Sequence, residues 1–341
     1  MSDSRIITKL EPSDEYTHEP DPAVNYNESM YLNGFDLVQQ VGAWFRIGNR
    51  VNEGYAEVTV CVYLPNGRVG FFYARPKISH NREMHAGGLR IEVIKPFEHL
   101  RIGFDGRLCL LDDPRQMADP RSAFESNAFV ESEVRLDVSG VSPMFGGVPT
   151  RADGKPIETD ASSSFAKAHY EQHTAVKGTI RVGDEVMDLD GLGLRDKSWG
   201  PRYWQAIRWY RWLPMIFSTE FAMMLSIIDR GGEPVPGGMV LSGGRYHKIR
   251  DCRVESDWDT DGYQTAMRCW ARTDDAEYEI DGTVISMIPL RNRRTTDDGE
   301  QLLTRITEAM TSFECNGMVG MGMSEYLDQI IDGRPVGIDF R

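Results

Sequence analysis

The stretch GYAEVTVCVYLPNGRVGFFYARP, residues 54–76, decides the fold. Tyr55, Glu57, Thr59, Cys61 and Tyr63 alternate with Ala56, Val58, Val60, Val62 and Leu64. Side chains on a strand point alternately to its two faces, so the uniformly apolar second set describes a buried face. Pro65-Asn66-Gly67 then supplies a hairpin turn into a second run of β-formers, Val69–Tyr73. The pattern continues outward. GGLRIEVIKP (87–96), EHLRIGFDGRLCLLDD (98–113), AFVESEVRLDVSG (128–140) and TAVKGTIRVGDEVMDLDG (174–191) are short runs of β-formers bounded by Gly, Pro or Asp. Strands spaced about ten residues apart, with no βαβ rhythm, predict an all-β chain of antiparallel barrels or sandwiches.

Residues 1–30 are polar, carry Pro12, Pro20 and Pro22, and read as an extended arm. The segment SPMFGGVPTRADGKPIETDASSSF (142–165) is rich in Gly, Pro and polar residues. The expected organisation is therefore an N-terminal β domain over 31–150, a linker over 151–165 and a C-terminal β domain over 166–341. Only SEYLDQIIDG (324–333) and ASSSFAKAHYEQ (161–172) look helical.

The 341 residues carry a formal net charge of −14. That sign opposes binding to nucleic-acid phosphates and to anionic membrane surfaces. Five cysteines, Cys61, Cys109, Cys252, Cys269 and Cys315, include no C-x-x-C pair, so neither a disulfide framework nor a zinc site is suggested. The start, MSDSRIITKLEPSDEY, has no apolar secretory core. The most apolar stretch, Leu213–Ile228, is interrupted by Glu220 and is too short to span a bilayer. The expectation is a soluble cytoplasmic protein whose partner is a small molecule.

Chemistry concentrates in GLRDKSWGPRYW, residues 193–204. On a strand, Arg195, Lys197 and Trp199 share one face, and Leu194, Asp196 and Ser198 the other. An Asp196 facing an apolar interior would have a raised pKa and could donate a proton. The alternative is a structural ion-pair cluster of Arg195, Asp196 and Arg202 beneath packed Trp rings. Downstream, Tyr203, Trp204, Trp209, Tyr210 and Trp212 could wall a pocket for a flat or polyene-like ligand, or stabilise a cation. HYEQH (169–173) puts His169, Glu171 and His173 on one strand face, an acid–base or metal arrangement, and of the two the metal is disfavoured because this is not the helical H-E-x-x-H. GMVGMGMSEYLD (317–328) is not a dinucleotide loop, for want of a βαβ unit, but Glu325 and Tyr326 remain candidate pocket groups. SHNREMHAGGLR (79–90) offers His80, His85 and Arg90 around a Gly pair, with His85 a candidate at the contact between domains.

HYEQ (169–172), KGTIRVGDEVMDLDGLGLRDKSWGPRYW (177–204), GMGMSEYL (320–327) and GGLRIEVIKPFEHLRIGFDG (87–106) together resemble the bacterial lipocalin-like proteins related to carotenoid 1,2-hydratase (hydroxyneurosporene synthase). The resemblance implies two lipocalin-like β domains side by side, with a hydrophobic pocket at or near their contact. It also implies a hydratase acting on an isolated double bond, or a cyclase of polyketide or terpenoid chains. The sharpest motif is R-D-x-S-W-G, Arg195–Gly200. Asp196 and Trp199 match that motif, and His169 and Glu171 match the HYEQ strand. The family motif commonly reads R-D-H-S-W-G, and here Lys197 replaces its His. Either another group or reaction serves this chain, or position 197 lies on the face away from the chemistry.

The expected activity is therefore hydration, dehydration or isomerisation of a hydrophobic unsaturated molecule (terpenoid, polyene or aromatic) without a cofactor or metal. Asp196 would protonate an alkene carbon, and Trp199, Tyr203 and Trp204 would stabilise the resulting cation. Glu171 or His169 would take the proton of water, and Arg195, Arg202 and Tyr326 would complete the binding wall. Two alternatives are a carrier that binds apolar molecules without chemistry and a pericyclase or cyclase.

Overall fold

The computed structural model describes residues 6–153, 157, 165–295 and 299–338. The opening stretch forms the hairpin its alternation predicts: strands Tyr55–Tyr63 and Val69–Ala74. They belong to a ring of eight antiparallel strands. These are β1 (Tyr26–Asp36), β2 (Val41–Arg50), β3 (Tyr55–Tyr63), β4 (Val69–Ala74), β5 (His99–Leu111), β6 (Phe129–Gly140), β7 (Ala168–Val182) and β8 (Glu185–Pro201). Each pairs with the next, and β8 pairs back onto β1, so the barrel is closed. Closure leaves no free edge within the ring. Ala56, Val58, Val60 and Val62 join Phe45, Ile47, Ile102 and Leu136 inside it.

The second sheet contains β9 (Trp209–Ile216), β10 (Ala222–Asp229), β11 (Val235–Ser242), β12 (Arg245–Lys248), β13 (Asp251–Trp258), β14 (Gln264–Arg272), β15 (Glu277–Thr295), β16 (Gln301–Cys315) and β17 (Met318–Ile331). Their order is β12-β11-β10-β9-β17-β16-β15-β14-β13, and the sheet curls until β13 meets β10, where Cys252 Sγ lies 3.5 Å from Ser226 O. Leu213, Met223, Leu225, Val240, Cys269 and Phe313 fill its concave side. The all-β expectation is met: among the described residues the one α-helix is Pro120–Ser126.

The outer faces of the two sheets pack on each other. Tyr31, Trp44, Cys61, Tyr63 and Phe71 of the barrel meet Ile288, Met310, Met321 and Met323 of the second sheet. This explains why both alternating sets of β3 are buried. One faces the barrel interior and the other faces the neighbouring sheet.

Several sequence expectations need correction. The pairing of β7 and β8 with β6 and β1 assigns residues 168–201 to the first sheet, so the division between sheets falls between Pro201 and Trp209 and not at 151–165. Most of that expected linker lies outside the described residues, and its first residue, Arg151, ends the strand Phe145–Arg151. Within the expected extended arm at 1–30, the described residues are tied to the barrel, and Tyr26 onward already belongs to β1. Ile6–Lys9 pairs with Phe145–Arg151, and a 3₁₀ turn at Pro12–Glu15 inserts Glu15 into the barrel end. SEYLDQIIDG is strand as far as Ile331 and then turns, because β17 is paired on both sides and its helix-favouring residues are overridden by that pairing. The described end of ASSSFAKAHYEQ likewise enters β7, while 161–164 lie outside the described residues.

Candidate active site

Strand β8 carries the motif Arg195–Gly200. Gly193 lets it cross close to β1: a Cβ there would sit 1.9 Å from Asn33 O. Asn33 Oδ1 accepts the Leu194 N–H at 2.8 Å where the backbone ladder opens. From Arg195 onward the ladder resumes, pairing Asp196 with Tyr31 on one side and with Glu171 on the other.

Alternation then separates two environments. Arg195, Lys197 and Trp199 point into the barrel end and are almost fully buried. Arg195 holds both oxygens of Glu15 at 2.6 and 2.8 Å, and Gln172 Oε1 accepts from its Nε at 2.8 Å. Lys197 Nζ donates to Glu28 Oε1 at 2.7 Å and to the carbonyls of Asp14 and Tyr16. Trp199 stacks on His18 at 4.1 Å, and His18 in turn binds Glu28. Burial would raise the Glu15 carboxyl, but Arg195 holds it below its ordinary value. Burial would likewise raise Glu28, yet His18 and Lys197 hold it at about 2. This is a plug of satisfied buried charges beneath the arm. Arg195 and Trp199 therefore brace the barrel and do not line the cavity. Lys197 faces away from Asp196, as alternation requires, but into the barrel and not outward.

The opposite face opens on a cavity of about 1050 Å³ between the two sheets. Its apolar walls include Tyr31, Trp44, Phe71, Phe124, Trp212 and Leu290. Asp196, His169 and Glu171 stand together on one wall. His169 Nε2 is in direct hydrogen-bond contact with Asp196 Oδ2 and lies 3.8 Å from Glu171 Oε1. The Trp212 indole donates to Glu171 Oε1 at 2.8 Å, whereas Glu171 Oε2 has no partner among the described residues. Burial lifts the Glu171 carboxyl to about 7, against the pull of His169. Burial opposes a charge on His169, but the Asp196 carboxylate outweighs it and raises the imidazole to about 9.

The sequence trio is thus rearranged. His173 bonds to Tyr246 Oη at 2.9 Å, is held neutral by burial with a pKa near 4, and is absent from the cavity lining. Asp196 takes its place, and the ligand-type atoms of His169, Glu171 and Asp196 lie within 4.8 Å of one another, a spacing that would also suit a cation.

Arg202 and Trp204 line the cavity. Tyr203 does not: its ring lies 4.8 Å from the Arg294 guanidinium. Tyr326 points into the second sheet's core, where its hydroxyl meets Ser256 at 2.7 Å. Its neighbour Glu325 faces the cavity, in contact with the Tyr210 hydroxyl. His85 is exposed on the edge strand Met84–Ala86 and is not a cavity residue.

Sequence reading missed Glu308. It pairs directly across from Glu325 on the neighbouring strand, and burial lifts both carboxyls to about 8. The only local signal was a lone Glu within the apolar alternation of ITEAMTSF (306–313). Arg46 and Glu57 were missed because no motif marks either: each is a charged residue among the alternating positions of its strand.

The sequence family described as a domain of unknown function, DUF7064, matches residues 11–330. The chain belongs to the DUF7064 family. No curated protein matches it. Solved structures of the same architecture include an AttH-like protein from Nitrosomonas europaea, 12% identical, covering 94% of this chain and 96% of that one with a TM-score of 0.61. Kievitone hydratase from Nectria haematococca is 8% identical, covering 96% of each chain at a TM-score of 0.54. CghA is 10% identical, covering 96% of this chain and 99% of that one at 0.51. At these identities the likeness is one of fold.

Proposed function

We propose that this protein is a cofactor-independent hydratase, dehydratase or isomerase acting on a largely apolar unsaturated small molecule. One observation carries the reading: Asp196, His169 and Glu171 converge on the wall of a large, partly aromatic cavity, with pKa values near 7 and 9 on two of them. Paired titratable groups with displaced pKa values are what acid–base catalysis at neutral pH needs. The proton shared by His169 Nε2 and Asp196 Oδ2 goes to carbon. Glu171, through its unpartnered Oε2, takes the proton of the attacking water and afterwards returns it to the pair. Dehydration runs the same steps backwards. That one of the fold relatives is named a hydratase agrees with this reading.

The test is incubation with a panel of terpenoid, polyene and unsaturated aromatic compounds in D₂O containing EDTA, read by mass spectrometry. Hydration adds D₂O, and isomerisation gives a deuterated product of unchanged skeleton. Asp196→Asn should lower turnover at least about 100-fold, the lower range for general acid–base catalysis. Tight binding without label in any compound would instead favour the carrier reading. Conversion without label would favour the pericyclase.

A further inference from the structure

Three buried N–H groups of the cavity-lining residues lack an acceptor among the described residues: Arg46 Nη2, Arg202 Nε and Trp204 Nε1. They are neighbours. The guanidinium carbons of Arg46 and Arg202 lie 5.7 and 5.4 Å from the Trp204 ring centroid. Arg202, only 7% exposed, also lies 4.2 Å over Phe165. The acceptors at hand are few. Ser198 Oγ accepts from Arg202 Nη2 at 2.6 Å, and Glu57, shared with Arg75, accepts from Arg46 Nη1 at 3.4 Å. Leaving buried donors unpaired is costly, and two guanidinium charges close together add repulsion. Burial and the Arg46 charge both press against the charge on Arg202, and they outweigh the opposing pull of Asp196 and Glu57.

These donors adjoin the acid–base group. Ser198, which holds Arg202, pairs across the ladder with His169 and lies two residues from Asp196 on the same face. Exposed Arg230 and Arg293 add positive charge to the cavity lining of a chain whose net charge is −14. A wall of this sign attracts anions and disfavours a carbocation beside it.

We propose that Arg46, Arg202 and the Trp204 indole N–H form a carboxylate-binding subsite, and that the substrate is an apolar unsaturated carboxylic acid whose double bond adjoins that carboxylate. The proposal rests on the acid–base reading for the reacting bond, but the subsite is testable by binding alone. It also changes the order of the chemistry. Water oxygen bonds to the β-carbon while Glu171 takes its proton. The double-bond electron pair moves through the α-carbon onto the carboxylate, and the arginines hold the resulting charge. The α-carbon then takes the proton shared by His169 and Asp196, and Glu171 returns its own to that pair. Charge develops as an anion at an acceptor-poor wall, where preorganised donors are most effective.

The experiment is calorimetric titration of the full chain with geranate and cinnamate, each beside its alcohol, geraniol or cinnamyl alcohol. At least one acid should bind tenfold or more tightly than its alcohol, and added salt should narrow the gap. Arg46→Gln and Arg202→Gln should each remove tenfold or more of the acid's affinity and leave the alcohol's unchanged. Trp204→Phe, which keeps an aromatic face and removes the indole N–H, should give a smaller loss in the same direction and covers the case in which the Arg202 variant does not fold. If no acid outbinds its alcohol, or the preference survives these variants, the subsite is wrong. Acid binding without solvent-deuterium incorporation would sink the acid–base reading and leave the subsite standing.

Discussion

Replacing Glu308 by Gln isolates the energetic consequence of burying this acid in the wall between the sheets. Glu308 is 5% exposed, its Oε2 has no partner among the described residues, and burial lifts its carboxyl from 4.5 to about 8. At roughly 1.36 kcal/mol per pH unit, the gap corresponds to about 5 kcal/mol. The folded protein holds this proton more tightly than the unfolded chain. Stability is therefore undiminished below about pH 4.5, falls as pH rises toward about 8, and then levels off. Gln keeps the shape and cannot ionise. Glu308→Gln should match the parent near pH 4.5, exceed it by about 3 kcal/mol at pH 7, and approach about 5 kcal/mol at pH 9. Glu171 and Glu325 titrate in both proteins and cancel in the difference. Urea unfolding followed by tryptophan fluorescence at the three pH values reads this directly, provided the m-value is unchanged. Parallel stability curves, with the variant gaining less than about 1 kcal/mol between pH 4.5 and 9, would show that the acid is not buried as described.

Three further outcomes are expected. With a confirmed substrate, kcat/KM should rise through about pH 7 as Glu171 loses its proton and fall near pH 9 as His169 loses its own; the two limbs belong to the coupled group as a whole, and a flat profile from pH 6 to 10 would remove Glu171 and His169 from the chemistry. Arg195→Met strands the Glu15 carboxylate in the barrel end and should cost about 3–5 kcal/mol in denaturant stability, with ligand affinity of the folded protein unchanged. Trp199→Phe should lose about 1 kcal/mol of stacking and cation–π attraction to His18 and Lys197 while turnover holds, and a large kcat defect would put Trp199 back at the reaction site.

Alternation made the strands and their faces legible in the sequence. It separated Val58 and Val60 from Glu57 and Thr59, and Asp196 from Arg195 and Lys197, because a period of two follows from local backbone geometry alone. The concentration of Trp and charge around 199–212 also marked a real wall of the cavity, as Trp204 and Trp212 show. What alternation cannot say is which side each face looks toward. Whether Arg195 or Asp196 meets the cavity depends on β8 closing the barrel against β1, more than 150 residues earlier, and on the arm filling the barrel end. The same long-range pairing carried 168–201 into the first sheet and turned SEYLDQIIDG into strand. The second cavity wall, with Glu308 facing Glu325, exists only where two sheets press their outer faces together. No local pattern records that contact, because each of these two strands presents one carboxylate to the cavity, and only packing makes the pair.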